Sequence, residues 1–134
     1  MAPGFELVFR QMSPALVVLK PDKPKYTIVD ANEAYLKATN SKLEDIIGKG
    51  VFEAFPENEE GKQTEHGGMT RQNLDMVVAT KQPFPTFLVK YAIKFDGQFF
   101  DMYWSIDNVP VMKDGEILYI AQHPKPITAL NKTL

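Results

Sequence analysis

Phe87-Leu88-Val89-Lys90-Tyr91-Ala92-Ile93-Lys94-Phe95, then Asp96-Gly97, then Phe99-Phe100-Asp101-Met102-Tyr103-Trp104-Ser105-Ile106, is the stretch that decides the fold. Phe87, Val89, Tyr91, Ile93 and Phe95 occupy every second position, so an extended chain puts all of them on one face. After the turn, Phe100, Met102, Trp104 and Ile106 alternate with Asp101, Tyr103 and Ser105 in the same way. Asp-Gly between two such runs is a hairpin signal, because a two-residue turn of this kind needs positive φ at both central positions. A second Asp-Gly, at Asp114-Gly115, leads into Ile117 to His123. The spacing therefore predicts a three-stranded antiparallel meander.

Upstream of Pro83 and Pro85 the period changes. Between Met69 and Lys81, Thr70, Leu74, Val77 and Val78 fall at helical spacing, and the preceding Glu57 to Gly68 reads as a polar loop. Val51, Phe52 and Phe55 form an apolar knot before Pro56. Asp30 followed by Glu33 has the spacing of a reciprocal capping box, predicting a helix with Ala31, Ala34, Tyr35 and Ala38 inward. Ser41 and Glu44 repeat that signal ahead of Leu43, Ile46 and Ile47, with Gly48 placed for a positive φ at the helix end. Ala15 to Leu19 and Tyr26 to Val29 read as strands around the turn Pro21-Asp22-Lys23-Pro24. At the start, Phe5, Val8, Phe9 and Met12 share one face of a helix over 4–12 that ends before Pro14.

A chain of 134 residues suits a single domain, here 1–134, divided into the helix (4–12), a core (14–123) and a C-terminal linker (124–134). The absence of cysteine excludes disulfides, thiolate metal sites, a cysteine nucleophile and photochemistry through a cysteine adduct. A net charge of -2 leaves no electrostatic footprint for nucleic acid or for an anionic membrane surface. The longest apolar run, Ala15 to Leu19, is far short of the roughly 20 residues that cross a bilayer. The first residues lack the pattern of a secretory signal, so a cytoplasmic location is expected.

The order strand, strand, short helices, meander resembles the PAS sensory domain over nearly the whole chain. Tyr26 to Leu36 is similar to the second strand and first core helix of that family, and Leu43 to Lys49 to its "eeliGk" segment. Trp104 to Val111 ahead of Asp114-Gly115-Glu116 resembles the penultimate strand and hairpin of PAS domains of bacterial sensor histidine kinases. The resemblance implies an α+β fold: a five-stranded antiparallel sheet with short helices on one face and an N-terminal flanking helix. It further implies a sensory or docking role in a two-component system, with a small molecule held between sheet and helices. Where many PAS domains end in an Asp-Ile-Thr-like triad, this chain has Pro126-Ile127-Thr128. Pro124 and Pro126 lack an N–H, so ladder pairing is expected to stop near His123.

The chemistry-bearing residues point away from catalysis. His66 stands in a Glu- and Gly-rich loop and His123 at a strand end, which argues against haem. With cysteine absent, flavin is not expected either, and the cofactor is left unknown. Glu57, Glu59, Glu60 and Glu65 lack calcium-loop spacing, and Gly61-Lys62 lacks the flanking residues of a phosphate loop. Ser13, Ser41 and Ser105 have no nucleophile-elbow context. Tyr35, Phe55, Met76, Tyr91, Met102 and Trp104 are candidates to line a ligand pocket, Trp104 foremost, with plain core filling as the alternative. Phe5, Val8, Phe9 and Met12 either cap the outer sheet face or meet their copy in a homodimer, the second being favoured. The expectation is a non-enzymatic sensor that signals to an effector kinase domain in the same longer chain. The competing expectation is a structural dimerisation module without ligand.

Overall fold

The computed structural model describes residues 3–56 and 68–127, with all their side chains except those of residues 3, 85–89, 91, 92 and 94. Strands β1 (Val17–Leu19), β2 (Ile28–Ala31), β3 (Phe84–Phe95), β4 (Gln98–Lys113) and β5 (Glu116–Pro126) form one antiparallel sheet. Their spatial order is β2-β1-β5-β4-β3, so the first and last strands of the chain lie side by side in the centre. Both Asp-Gly turns adopt positive φ at both residues, 49° and 79° at Asp96-Gly97 and 53° and 80° at Asp114-Gly115. That left-handed backbone fits the right-handed twist of the flanking strands and sets their register.

Helices α2 (Glu33–Ala38), α3 (Leu43–Ile46), α4 (Val51–Ala54) and α5 (Met69–Thr80) connect the two halves of the sheet. One core unites them: Val17, Leu19, Ile28, Ala31 and Ile120 from the sheet pack with Tyr35, Ile46, Val51, Leu74 and Val77 from the helices. The five-stranded sheet with short helices on one face is thus as the resemblance implied.

Three local expectations are corrected. The cap of α2 is Asn32, not Asp30, because β2 continues to Ala31. Asn32 Oδ1 accepts from Tyr35 N at 3.0 Å and from Leu16 N at 2.9 Å, while its Nδ2 donates to Pro14 O at 2.8 Å. One buried side chain thereby caps a helix and clips down the chain entering β1, whereas Asp30 faces Arg10. The cap of α3 is Lys42 rather than Ser41, without a side-chain hydrogen bond, since the Ser41 hydroxyl is engaged with Thr39. Ladder pairing does not stop at His123: β4 and β5 pair through Trp104↔Pro126, and Ile127 N donates to Tyr103 O at 2.8 Å. By the alternation of an antiparallel ladder, His123 and Lys125 turn their N–H groups to β4 as Ile127 does. Pro124 and Pro126 therefore face the other edge, where β1 has already ended at the pair Val17↔Gln122. The prolines forfeit no bond, and residues 124–126 belong to the sheet rather than to a linker.

The helix at the N-terminus, α1 (Pro3–Gln11), is tied down through Arg10. Its guanidinium reaches Asp30 Oδ1 at 2.8 Å and Oδ2 at 3.2 Å and donates to Ala31 O at 3.0 Å. Within one chain the apolar stripe is not buried: Phe5 is 67% and Val8 62% exposed, Met12 is exposed and Phe9 half-buried. The stripe does not cap the sheet.

Candidate functional site

A cavity of about 450 Å³ lies between the helices and the inner face of the sheet. Its floor is formed by Ile93, Trp104, Ile106 and Gln122 of the sheet, and α4 contributes Val51 and Phe52 to the walls. Tyr35 of α2, Phe55 and Thr70 of α5 complete the inner lining, while the exposed Asn40, Glu53, Pro56 and Phe99 mark the side on which it opens. The volume is within the roughly 300–1,000 Å³ of small-molecule sites. Tyr35 and Phe55 meet edge to face, with ring centroids 6.0 Å apart at 80°.

The structure brings Tyr35, Phe55 and Trp104 together at this cavity. Met102 is half-buried and packs behind the floor against the cluster of Ile93, Trp104 and Ile106. Met76 is corrected: it is 43% exposed on the outer side of α5, because the helix turns Asn73, Leu74 and Val77 inward instead. The side chain of Tyr91 lies outside what is described, as do His66, Gly61-Lys62 and the glutamates at 57, 59, 60 and 65.

Sequence reasoning missed the polar half of the site. Asn73, Asn108 and Gln122 are all buried and form a relay from α5 through β4 to β5. Asn108 Nδ2 donates to Asn73 Oδ1 at 2.7 Å, and Gln122 Nε2 donates to Asn108 Oδ1 at 3.0 Å. A signal existed: Asn108 continues the inward parity of Trp104 and Ile106, Gln122 that of Ile120, and Thr70 and Asn73 the stripe of Leu74 and Val77. Two other buried groups, Thr70 Oγ1 and Trp104 Nε1, have no hydrogen-bond partner among the described residues. Both residues border the cavity, while these two atoms are themselves packed out of reach of solvent.

Around the site, α5 is held to the turn before β2. Tyr26 donates its hydroxyl to Asp75, Lys23 Nζ is 3.7 Å from Asp75, and Arg71 donates to Pro24 O while lying 4.1 Å over the Phe52 ring. Burial first, and then the hydrogen bond to Asp75, push the Tyr26 phenol well above its ordinary value of 10.0, so it remains a donor. On the outer face, His123 is paired across the ladder with Asp107. Burial and the Lys125 charge lower its pKa below 6.5, against the opposing pull of Asp107. Among the described residues no group of three His, Cys, Asp or Glu side chains is placed to hold a metal ion. No described helix is long and apolar enough to cross a membrane.

No family model matches the sequence, and no curated protein matches it. Solved structures do match in fold. An RNA-binding light-oxygen-voltage receptor aligns over 97% of this chain at 19% identity and a TM-score of 0.74. This chain spans only 34% of that receptor. The PAS domain of a protein from Colwellia psychrerythraea aligns over 94% of this chain and 96% of its own, at 14% identity and a TM-score of 0.71. A sensory box sensor histidine kinase from Vibrio cholerae aligns over 92% of this chain and 88% of its own, at 21% identity and a TM-score of 0.59.

The chain folds as a PAS domain. The PAS fold supplies the sheet and the helical wall, whereas the cavity chemistry belongs to this chain's residues. The expectation against flavin draws no support from these neighbours, one of them a light-oxygen-voltage domain described with a flavin analogue. A flavin ring suits the aromatic walls. Glu53 is the one ionised side chain among the described lining residues.

Proposed function

We propose that this PAS domain is a sensor that holds a small molecule in the cavity and relays its presence to an effector, a histidine kinase domain in the same longer, cytoplasmic protein. The observation that carries this reading is a ligand-sized cavity walled by Tyr35, Phe55, Trp104 and Ile106 and bordered by the buried amide of Gln122. A merely packed core has no reason to leave an open volume of this size. The amide relay supplies a route outward, because an occupant touching Gln122 biases the Asn108 and Asn73 bonds that set α5 against the sheet. Ligand then shifts the balance between two arrangements by its differential affinity for them. In this reading the domain senses rather than catalyses, and any kinase activity belongs to the effector.

The exposed stripe of Phe5, Val8, Phe9 and Met12 favours a homodimer, with or without ligand. Native mass spectrometry of the purified protein against its denatured mass separates a sensor from a structural dimerisation module. An additional mass of a few hundred daltons, lost on denaturation, is expected; a ligand-free protein that no compound stabilises refutes the sensor reading. Visible absorption of the same sample tests haem and flavin directly.

A further inference from the structure

We infer that a second copy of this chain covers the outer face of β1, β4 and β5 together with the α1 stripe, so that the dimer interface is a sheet face with a helix at its edge; the inference rests on the homodimer reading above. The outward side chains of the three strands form two apolar rows. Val18 pairs with Ala121 and Ala121 with Val109, while Tyr119 pairs with Val111 beside them. Val17, Leu19, Asn108, Ile120 and Gln122, their neighbours along the strands, are buried on the inner face. Alternation along each strand and pairing across strands therefore set both rows on the opposite face. Val109 is 44% and Val111 42% exposed there, with Val18, Ala121 and Tyr119 half-buried.

The chain's own helix does not fill this face. Arg10 ties α1 to Asp30, which is paired with Val18 at the end of the first row. At 3.6 residues per turn, Arg10 lies about 150° round the helix from the centre of Phe5, Val8, Phe9 and Met12. The tether thus turns the stripe away from the domain and leaves two apolar surfaces open on one protomer. Area decides how a copy joins them. A nine-residue helix is about 13 Å long and about 10 Å wide, so stripe on stripe covers only about 130 Å² in projection. A stable interface takes about 800 Å² of accessible surface per partner. The outer sheet face supplies the difference, because β4 and β5 lie side by side for about ten residues, roughly 30 Å. Charge allows the contact to be self-complementary: near a two-fold axis a side chain meets its own copy, and an unpaired charge would repel itself. Here Asp30 is paired with Arg10, and Asp107 with Lys125 at 3.5 Å, each within its own chain. With His123 opposite Asp107, these pairs border the apolar rows as a polar rim.

Two measurements test this: the dimer dissociation constant by sedimentation equilibrium, and the access of a soluble nitroxide to ¹³C-labelled valine methyls by NMR. In the wild-type dimer the methyls of Val18, Val109 and Val111 are expected to be shielded from the nitroxide, and in monomeric Phe5→Asp to be open to it. Val109→Lys should raise the dissociation constant about a hundredfold, about tenfold for each of the two copies that a two-fold interface carries. Circular dichroism checks that this variant is folded, and should it not be, methyl access in the wild-type protein decides alone. A dimer that survives Phe5→Asp or a folded Val109→Lys, or whose sheet valines stay open to the nitroxide, overturns the inference and leaves dimerisation itself standing. A protein that is monomeric at every concentration overturns both and gives the face to a different partner.

Discussion

Asn108→Leu removes the centre of the buried amide relay while keeping the number and branching of the side-chain heavy atoms. Asn108 is 1% exposed, donates to Asn73 Oδ1 at 2.7 Å and accepts from Gln122 Nε2 at 3.0 Å. Each lost bond contributes about 1 kcal/mol net, and stranding a buried polar group costs about 1–3 kcal/mol more. Gln122 borders the cavity, where water can rehydrate its amide, so the main stranded atom is Asn73 Oδ1 under α5. The expected loss is about 3 kcal/mol, which for a domain of this size lowers Tm by roughly 10–15 °C. Urea unfolding followed by circular dichroism measures it, with the m-value held as a check on the unfolded state. The decisive control is the cycle with Asn73→Leu. The double variant should be more stable than the sum of the single losses implies by about 1–2 kcal/mol, because neither side of the bond is then left unpaired. Additivity within about 0.5 kcal/mol would refute the claim that these amides act as one relay.

Three further outcomes are expected. Gly50→Ala should lower stability by about 1–3 kcal/mol, since an added Cβ would stand 2.7 Å from Lys25 O, a backbone atom that cannot swing aside; an unchanged melting temperature shows that this approach is looser than described. The folded-state pKa of His123 lies below 6.5, so protonation favours the unfolded chain, and stability should decline as pH falls from 6.5 through the folded value. His123→Gln should flatten that decline, and an imidazole titration by NMR with a midpoint at or above 6.5 contradicts the burial argument. Phe5→Asp, at an exposed point of the α1 stripe, should turn a dimer into a monomer in sedimentation without altering Tm at the monomer concentration; an unchanged oligomeric state removes the stripe from any interface.

Much of the architecture could be read from local pattern. The period-two run from Phe87 to Ile106, with Asp-Gly at its hinge, specifies a hairpin because the two-residue turn sets the register, and a one-residue slip would put Ile93 on the face opposite Trp104 and Ile106. The cap of α2 was legible only in part: Asp30 and Asn32 are both competent cap residues, and the choice between them rests on how far β1 holds β2 in the sheet. The continuation of β5 through Pro124 and Pro126 was misjudged for a similar reason. A proline is harmful only where its nitrogen faces a partner strand; the alternation of the ladder sets which edge it faces, and the three-residue length of β1 leaves that edge vacant.

By itself, then, the sequence determined the strand and helix periods, both hairpin turns, the exclusion of cysteine chemistry and the candidate ring of Tyr35, Phe55 and Trp104. Those properties are local, set by side-chain spacing and backbone preference within about one turn or one hairpin. Tertiary structure alone decided that Met76 faces outward, that Asn73, Asn108 and Gln122 join across three elements, and that Trp104 and Thr70 are left without partners beside a cavity. These depend on distances between residues remote in the chain, where whether a polar group is satisfied is settled by what packs against it rather than by its neighbours in sequence.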